Sequence, residues 1–346
     1  MVELLDLIPG LPEEIALDCL TRLHSTNHPL ATRVCKTWQH LFHSTHFYLH
    51  RKRTGHTHKV ACFVQALPVN SASDAVNVKP VGSSSYGITV FDPLNQTWDR
   101  IDPIPKYPNG LPLFCRLCSS HGKLVVMGGW DPTSYSSVND VFVYDFTTQS
   151  WRQGKDMPEN RSFFAFGELN GRVIVAGGHD DSKNALNTAW AYDVSKDQWS
   201  ELPRMSQERD ECEGLVIGSE FWVVSGYKTE SQGHFEGSAE SYKVGSGEWT
   251  RVEDAWRSSH CPRSCVGLAK HGELFGWIKS DSDSDPGIRV GTCRVQLGES
   301  TFVTGSTHTG GPQELYSVDG QTGKFDRLDV PDEFRQFIRS GCCVEI

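Results

Sequence analysis

The stretch KLVVMGGWDPTSYSSVNDVFVYDFTTQSW, residues 123–151, contains the pattern that decides the fold. An apolar, β-branched run leads into a glycine pair, and a Tyr-Asp step then leads to Trp151. The same order recurs in VFDPLNQTW, AYDVSKDQW and SYKVGSGEW, which end at Trp98, Trp199 and Trp249, and in RVIVAGGH at 172–179 and FWVVSGYK at 221–228. A period of about fifty residues, built from short β-type runs, predicts a repeated four-stranded antiparallel unit.

This repeat resembles the kelch repeat, whose units are the blades of a β-propeller. The resemblance implies a mainly β fold in which each sheet covers its faces by packing on its neighbours around an axis. We count six blades. A five-bladed ring with a long insertion is the alternative, because SDSDPGIRV interrupts the fifth unit and Phe325 stands where the sixth should have tryptophan.

The segment RSGCCVEI at 339–346 predicts how the ring closes. It resembles the innermost strands of other repeats, such as RSFFAFGEL from Arg161 and RSCVGLAK from Arg263. VACFVQAL at 60–67 and YGITVFDPLNQTW at 86–98 lack an inner strand of their own. We therefore expect one composite blade built from both ends of the chain.

Residues 11–41 predict a helical hairpin in front of the repeats. Pro12 suits the first turn of a helix, and Glu13 and Glu14 favour its N-terminal end. Two apolar stripes at helical spacing follow, Ile15, Ala16, Cys19, Leu20 and Leu23, then Leu30, Val34, Trp38 and Leu41. We expect a helical domain at 1–48, a basic connector at 49–59 and a propeller at 60–346.

This hairpin resembles the F-box, through Leu11, Pro12, Glu13, Leu20, Leu23, Val34, Cys35, Lys36 and Trp38. In that family these positions dock on the Skp adaptor of an SCF ubiquitin ligase and, through it, on the cullin. The resemblance implies adaptor-binding residues Leu11, Pro12, Ile15, Leu20, Leu23, Val34 and Trp38. We expect Leu11, Pro12, Ile15 and Leu20 to form the interface and Trp38 to belong mainly to the core. The alternative is that the apolar residues form only the hairpin's own core.

A target protein would bind on the propeller face where loops between second and third strands and connections between blades emerge together. Arg161 and Arg209 each precede the opening of a glycine motif by sixteen residues, which predicts that they point alike near the channel mouth. They are either target contacts or partners of Asp and Glu inside the ring. The full candidate set is Trp130, Asp131, Tyr135, Arg161, His179, Asp180, Lys183, Arg209, Glu211 and Arg263.

Charge and composition exclude several classes of function. Residues 1–59 hold seven Lys/Arg and five Asp/Glu, whereas the remainder holds 26 basic and 38 acidic residues, a net charge of −12 that disfavours nucleic acid. The apolar runs are too short to span a membrane. Cys115 and Cys118 form a CxxC without a second ligand pair, and Cys342 and Cys343 add none, so neither a metal nor a cofactor is expected. The start lacks the basic head of a secretory signal, which predicts the cytoplasm or nucleus.

Longer segments, including SFFAFGELNGRVIVAGGHDDSKNALNTAWAYDV and ERDECEGL, resemble plant kelch-repeat F-box proteins. Members of that group promote ubiquitination of phenylalanine ammonia-lyase, and some act on cytokinin response regulators. The resemblance implies a non-catalytic substrate receptor, for which phenylalanine ammonia-lyase and a response regulator are candidate targets. The choice of target does not follow from the resemblance. A kelch scaffold outside any ligase is one alternative. A kelch-fold oxidase is another, although it would need a Tyr and His cluster on one propeller face.

Overall fold

The computed structural model describes residues 7–68, 85–257, 261–262, 266–268, 274–276, 288, 290–298, 300–308, 310–319, 322 and 324–346. Its first part is helical, with α1 (Glu13–Thr21), α2 (His28–Ala31), α3 (Lys36–His43) and α4 (Thr45–Arg53), and a 3-10 turn at Ser25–Asn27. The second part consists of antiparallel sheets arranged in succession.

Capping residues set the helix bounds. Pro12 precedes α1, and Glu13 and Glu14 occupy its first turn, where the helix dipole favours negative charge. The Ser44 hydroxyl accepts a hydrogen bond from the Phe47 N–H and starts α4. Basic side chains fill the last turn of α4, which runs to Arg53. The helical domain therefore extends beyond residue 48, and part of the basic stretch expected as a connector is helix.

Five sheets contain four strands each, and they make a propeller whose blades follow one another along the chain. The prediction of a mainly β propeller is confirmed. The first blade in chain order after the composite one contains β4 (Arg116–Ser120), β5 (Lys123–Met127), β6 (Val141–Asp145) and β7 (Ser150–Gln153). The next two contain β8 (Ala165–Leu169), β9 (Arg172–Ala176), β10 (Ala189–Asp193) and β11 (Gln198–Leu202), and then β12 (Glu213–Ile217), β13 (Glu220–Val224), β14 (Ala239–Lys243) and β15 (Glu248–Val252).

The irregular part of the repeat follows β15. Within the described residues it holds a two-stranded sheet, β16 (Val266–Leu268) and β17 (Leu274–Gly276). A further four-stranded blade contains β18 (Val290–Leu297), β19 (Ser300–Ser306), β20 (Glu314–Val318) and β21 (Phe325–Leu328). Five complete blades are thus described, and the favoured count of six stays a prediction that rests on β16 and β17.

A composite blade joins the two ends of the propeller sequence. Its strand order is β22 (Ile338–Glu345), β1 (Lys59–Ala66), β2 (Tyr86–Asp92) and β3 (Thr97–Ile101). Val60 lies opposite Val344, and Cys62 lies opposite Cys342. Beyond the paired strands, His58 and Ile346 exchange backbone hydrogen bonds of 2.9 and 2.8 Å. The innermost strand of the first sheet is therefore supplied by the far end of the chain.

The repeated tryptophans pin each blade to the connection that precedes it. The indole N–H groups of Trp151, Trp199 and Trp249 donate to backbone carbonyls of that connection at 2.7, 2.8 and 2.7 Å. At Gly129, φ is +94°, and a Cβ atom would lie 2.4 Å from the Leu113 carbonyl oxygen. This glycine therefore allows neighbouring backbones to approach closely, and the glycine motif is structural.

Candidate functional site

The helical domain has a small apolar core of its own. Ala16, Leu20, Phe42 and Phe47 are buried, and the His28 ring packs against both phenylalanines with centroid distances of 5.0 and 6.0 Å. His28 Nε2 lies 3.1 Å from the Leu23 carbonyl oxygen. Burial and the nearby Arg51 lower the pKa of His28 from 6.5 to about 4.

Several apolar residues of the same helices are left outside this core. Leu11, Ile15 and Val34 are 42, 52 and 62% exposed, and Pro12 and Leu30 are exposed as well. These side chains do not belong to the core cluster. Together they form what we call the apolar helical surface, defined by Leu11, Pro12, Ile15, Leu30 and Val34.

The structure divides the predicted adaptor-binding residues between this surface and the core. Leu11, Pro12, Ile15 and Val34 are on the surface. Leu20 is only 2% exposed, so its burial contradicts the interface role predicted for it. Leu23 and Trp38 are partly buried against the core, and the Trp38 indole N–H donates to the Leu7 carbonyl oxygen at 2.6 Å.

A set of mainly polar contacts, which we call the seam, joins the helical domain to the propeller. The Tyr48 ring packs edge-on against the His121 ring, beside Gly122, where a Cβ atom would lie 2.7 Å from Tyr48. Lys52 Nζ lies 3.0 Å from a Glu345 carboxylate oxygen. The seam meets the β4–β5 and β6–β7 turns, so the helical domain lies on the propeller face that carries those turns.

Two histidine and aspartate pairs extend the seam. His58 Nε2 lies 3.4 Å from Asp92, and His43 Nδ1 lies 3.6 Å from Asp145. Burial alone would raise the pKa of the Asp145 carboxyl, but the adjacent Lys123 ammonium and a backbone N–H hold it below its ordinary value. Asp145 is therefore a fixed negative charge under the helices.

The opposite propeller face contains an aromatic group beside the channel mouth. The Trp130 ring lies 5.2 Å from Phe114, 5.7 Å from Phe163 and 6.5 Å from His179. Lys183 Nζ lies 3.9 Å from the centre of the Trp130 ring, a cation–π contact. We call these five residues the mouth cluster. Strand β5 runs from the seam to this cluster, so the two lie at opposite ends of the ring.

Neighbouring residues support the mouth cluster. The Trp130 indole N–H donates to the Ser162 hydroxyl at 2.8 Å. His179 Nδ1 lies 2.9 Å from the Asp210 carboxylate. The Arg339 guanidinium lies 4.2 Å from the centre of the Phe114 ring.

Sequence reasoning found Trp130, His179 and Lys183 of the mouth cluster but missed Phe114 and Phe163. The position of Phe163 in the repeat could have identified it. Phe163 stands twelve residues after Trp151, and Glu211, which was among the predicted target residues, stands twelve residues after Trp199. Phe163 and Glu211 both have a left-handed backbone, with φ of 54° and 51°.

The two arginines predicted as target contacts are buried. Arg161 and Arg209 are each 1% exposed. Arg161 Nη1 donates to the Gly177 carbonyl at 2.6 Å, and Arg209 Nη1 donates to the Ser225 carbonyl at 3.0 Å. Each arginine thus bonds to the carbonyl of the residue that opens its glycine motif, which explains the sixteen-residue spacing. Both arginines also contact acids, Glu159 and Glu240. Their burial contradicts target contact and supports the alternative, pairing inside the ring.

The other predicted target residues differ in what they can offer. Tyr135 and Lys183 are exposed. Asp131 accepts two backbone N–H bonds of 2.8 Å and Asp180 accepts bonds of 2.8 and 2.9 Å, so both shape their own loops. Glu211 accepts from the Tyr227 hydroxyl at 3.3 Å. Arg263 lies outside the described residues.

The innermost strands enclose a central cavity of about 330 Å³. Arg116 and Glu213 form an ion pair across it, and both are nearly buried. Cys118 and Cys342 also line it, and burial raises the pKa of both thiols well above the ordinary value. Among the described residues, no three His, Cys, Asp or Glu side chains are grouped as metal ligands.

The fold and these two surfaces define a propeller protein that carries a separate helical domain with exposed apolar residues. Comparison with known families agrees with this division. An F-box domain model matches residues 8–50, and a model described as the KLHDC2/KLHL20/DRC7 Kelch-repeats domain matches residues 77–275. The solved structure of YjhT has a TM-score of 0.55 at 13% identity, covering 70% of this chain and 91% of that one, which supports the fold alone.

Curated relatives from Arabidopsis thaliana share both parts. The F-box/kelch-repeat protein At1g15670 is 35% identical over 99% of this chain and 100% of its own length. SKIP20, also an F-box/kelch-repeat protein, is 36% identical over 81% of this chain and 77% of its own. The chain belongs to the F-box/kelch-repeat family. None of the helices in the described ranges is long and apolar enough to cross a bilayer.

Proposed function

We propose that this protein is the substrate-recognition subunit of an SCF-type ubiquitin ligase. The observation that carries the proposal is the apolar helical surface on a domain that matches the F-box. Exposed Leu11, Ile15 and Val34 offer apolar side chains to a Skp-type adaptor, and the adaptor would link the chain to a cullin. The family names suggest a non-catalytic receptor. Ubiquitin transfer to the target would therefore be catalysed by other components of the ligase.

The opposite propeller face is the proposed target site. The seam lies on one face. On the other face Lys183 of the mouth cluster and Tyr135 are exposed, and Trp130 and Phe114 are partly exposed above the buried Phe163 and His179. Rigid aromatic groups beside a cation are common at energetically important contacts. We propose phenylalanine ammonia-lyase and cytokinin response regulators as the first targets to test, marked for degradation in the cytoplasm or nucleus. Proximity labelling with the proteasome inhibited would identify the target directly.

Capture of a purified Skp-type adaptor by the full chain tests the adaptor half. Ile15→Glu combined with Val34→Glu should weaken capture at least tenfold, because a buried interface cannot easily accept two carboxylates. Thermal stability should hardly change, since both residues are exposed.

Val244→Glu is the matched control, because Val244 is 45% exposed on the propeller and should leave adaptor capture intact. Undiminished capture by the Ile15 and Val34 variant would overturn the proposal. That result would favour the alternative of a kelch scaffold outside any ligase.

A further inference from the structure

The connection that leads into β4 is longer than its counterparts. The left-handed residue Phe114, with φ of 63°, follows Trp98 by sixteen positions. The equivalent steps, from Trp151 to Phe163 and from Trp199 to Glu211, are twelve positions. This connection therefore contains four extra residues in an otherwise regular repeat, and local packing must differ here.

An apolar cavity of about 200 Å³ lies where the longer connection crosses from the composite blade to the next blade. Its walls include Ile88, Ile101, Pro103, Tyr107, Pro108 and Trp151. Pro103 and Pro108 are exposed, so the cavity is reachable from solvent, whereas Ile88 and Tyr107 are buried.

The polar atoms of the surrounding rings are directed to protein partners. The Trp151 indole N–H donates to the Asp102 carbonyl at 2.7 Å. The Tyr107 hydroxyl donates to the Asp140 carboxylate. The Tyr86 hydroxyl, at the edge of the cavity, accepts from Arg339 at 2.9 Å. These three aromatic side chains therefore present ring carbon to the cavity.

The walls are held in place without a ligand. The Leu111 N–H donates to the Tyr86 carbonyl at 2.8 Å, and the Tyr107 N–H donates to the Ile104 carbonyl at 2.8 Å. Pro103 and Pro108 further restrict the backbone, since proline fixes φ. A preformed apolar site avoids the ordering cost that weakens binding to mobile segments.

We propose that this cavity binds a small, uncharged aromatic molecule of one substituted ring system. A dry apolar cavity of about 150 Å³ accommodates benzene in another protein, and this cavity is moderately larger. Ring carbon on several sides favours an aromatic guest. Among the lining residues that the structure describes, Arg100 and Asp102 are the only charged ones, which disfavours an ionic guest. Arg100 already donates to the Glu333 carbonyl at 2.6 Å.

Calorimetric titration of the full chain with indole, and separately with benzoate, tests this site. We expect saturable indole binding with a Kd on the order of 100 µM, and benzoate at least tenfold weaker. Ile101→Trp should fill the cavity and reduce indole affinity at least tenfold. Leu202→Trp is the matched control, because Leu202 holds the equivalent strand position opposite Ala189, as Ile101 does opposite Ile88.

Pro108→Trp provides a second variant at the exposed mouth, and it decides the outcome should Ile101→Trp fail to fold. It should also reduce indole binding while leaving adaptor capture unchanged. Absent indole binding to the unaltered chain, or binding that survives Pro108→Trp, would overturn the proposal. Adaptor capture tests the proposed ligase role alone, and indole binding tests the cavity alone. Failure of one proposal is therefore distinguishable from failure of the other.

Discussion

Arg209 is a buried cation in the propeller's polar interior. It bonds to the Ser225 and Ser238 carbonyls at 3.0 and 3.1 Å, and it faces Glu240, whose side chain is also 1% exposed. Arg209→Gln would leave the Glu240 carboxylate buried without its cation. We expect this change to lower the unfolding free energy by about 3–5 kcal/mol, measured by chemical denaturation.

Adding Glu240→Gln to Arg209→Gln serves as the control, because it removes the buried charge and should restore part of the loss. If the single variant kept its stability but lost a captured target, Arg209 would instead be a target-binding residue.

The same residues mark how far sequence reasoning reached. The sixteen-residue spacing correctly related Arg161 to Arg209, since each bonds to the carbonyl sixteen positions later. Spacing could not say whether the guanidinium faces a target or the backbone, because both fit the repeat. Phe114 was missed because its connection is four residues longer, which removes it from register.

Among the elements, the short helices contain a buried histidine that makes them sensitive to acid. His28 in α2 is buried, and its pKa is lowered from 6.5 to about 4 by burial and by Arg51. The folded protein holds the His28 ring in its neutral form. The contribution of this ring to the free energy of unfolding is therefore complete above pH 6.5 and is lost as pH falls from 6.5 towards 4. At pH 5 the loss should be about 2 kcal/mol.

Amide hydrogen exchange of α3 and α4 in the full chain would measure this loss. His28→Gln should flatten the difference in protection between pH 7 and pH 5, whereas His40→Gln, at an exposed position, should not. An equally large pH effect in the His28 variant would show that another group is responsible.

Element bounds were predicted less well than element types. Apolar spacing predicted the helical hairpin and the β-type runs, and the family comparison and topology agree with the fold class. The end of α4 at Arg53 depends on capping and on cations in its last turn, which apolar spacing does not detect. Ile15 and Leu20 both belong to the apolar stripe of α1. Only the packing of the folded domain shows that Leu20 is buried and Ile15 is exposed.

At the scale of the whole molecule, the chain's last strand has two tasks. β22 pairs with β1 as the innermost strand of the composite blade, and Glu345 at its end contacts Lys52 and Thr57 of the helical side. Ring closure and the orientation of the helical domain therefore depend on the same eight residues. The seam fixes the direction of the mouth cluster relative to the apolar helical surface.

Ending the chain at residue 335 should lower the melting temperature by roughly 10 °C or more, because it removes β22 and exposes the apolar surface against Val344 and Ile338. Differential scanning calorimetry would measure it. A chain shortened only by Ile346 is the comparison, since it keeps every strand. An undiminished melting temperature in the longer truncation would refute closure by this strand.

The position of β22 also has a consequence for synthesis in the cell. The helices leave the ribosome before the propeller strands, whereas the ring cannot close until the residues up to 345 have emerged. A product of a premature stop codon before Ile338 would carry the apolar helical surface without a closed propeller. Under the proposed receptor role, such a fragment would still bind the adaptor without presenting a target site, and it would compete with the intact protein for that adaptor.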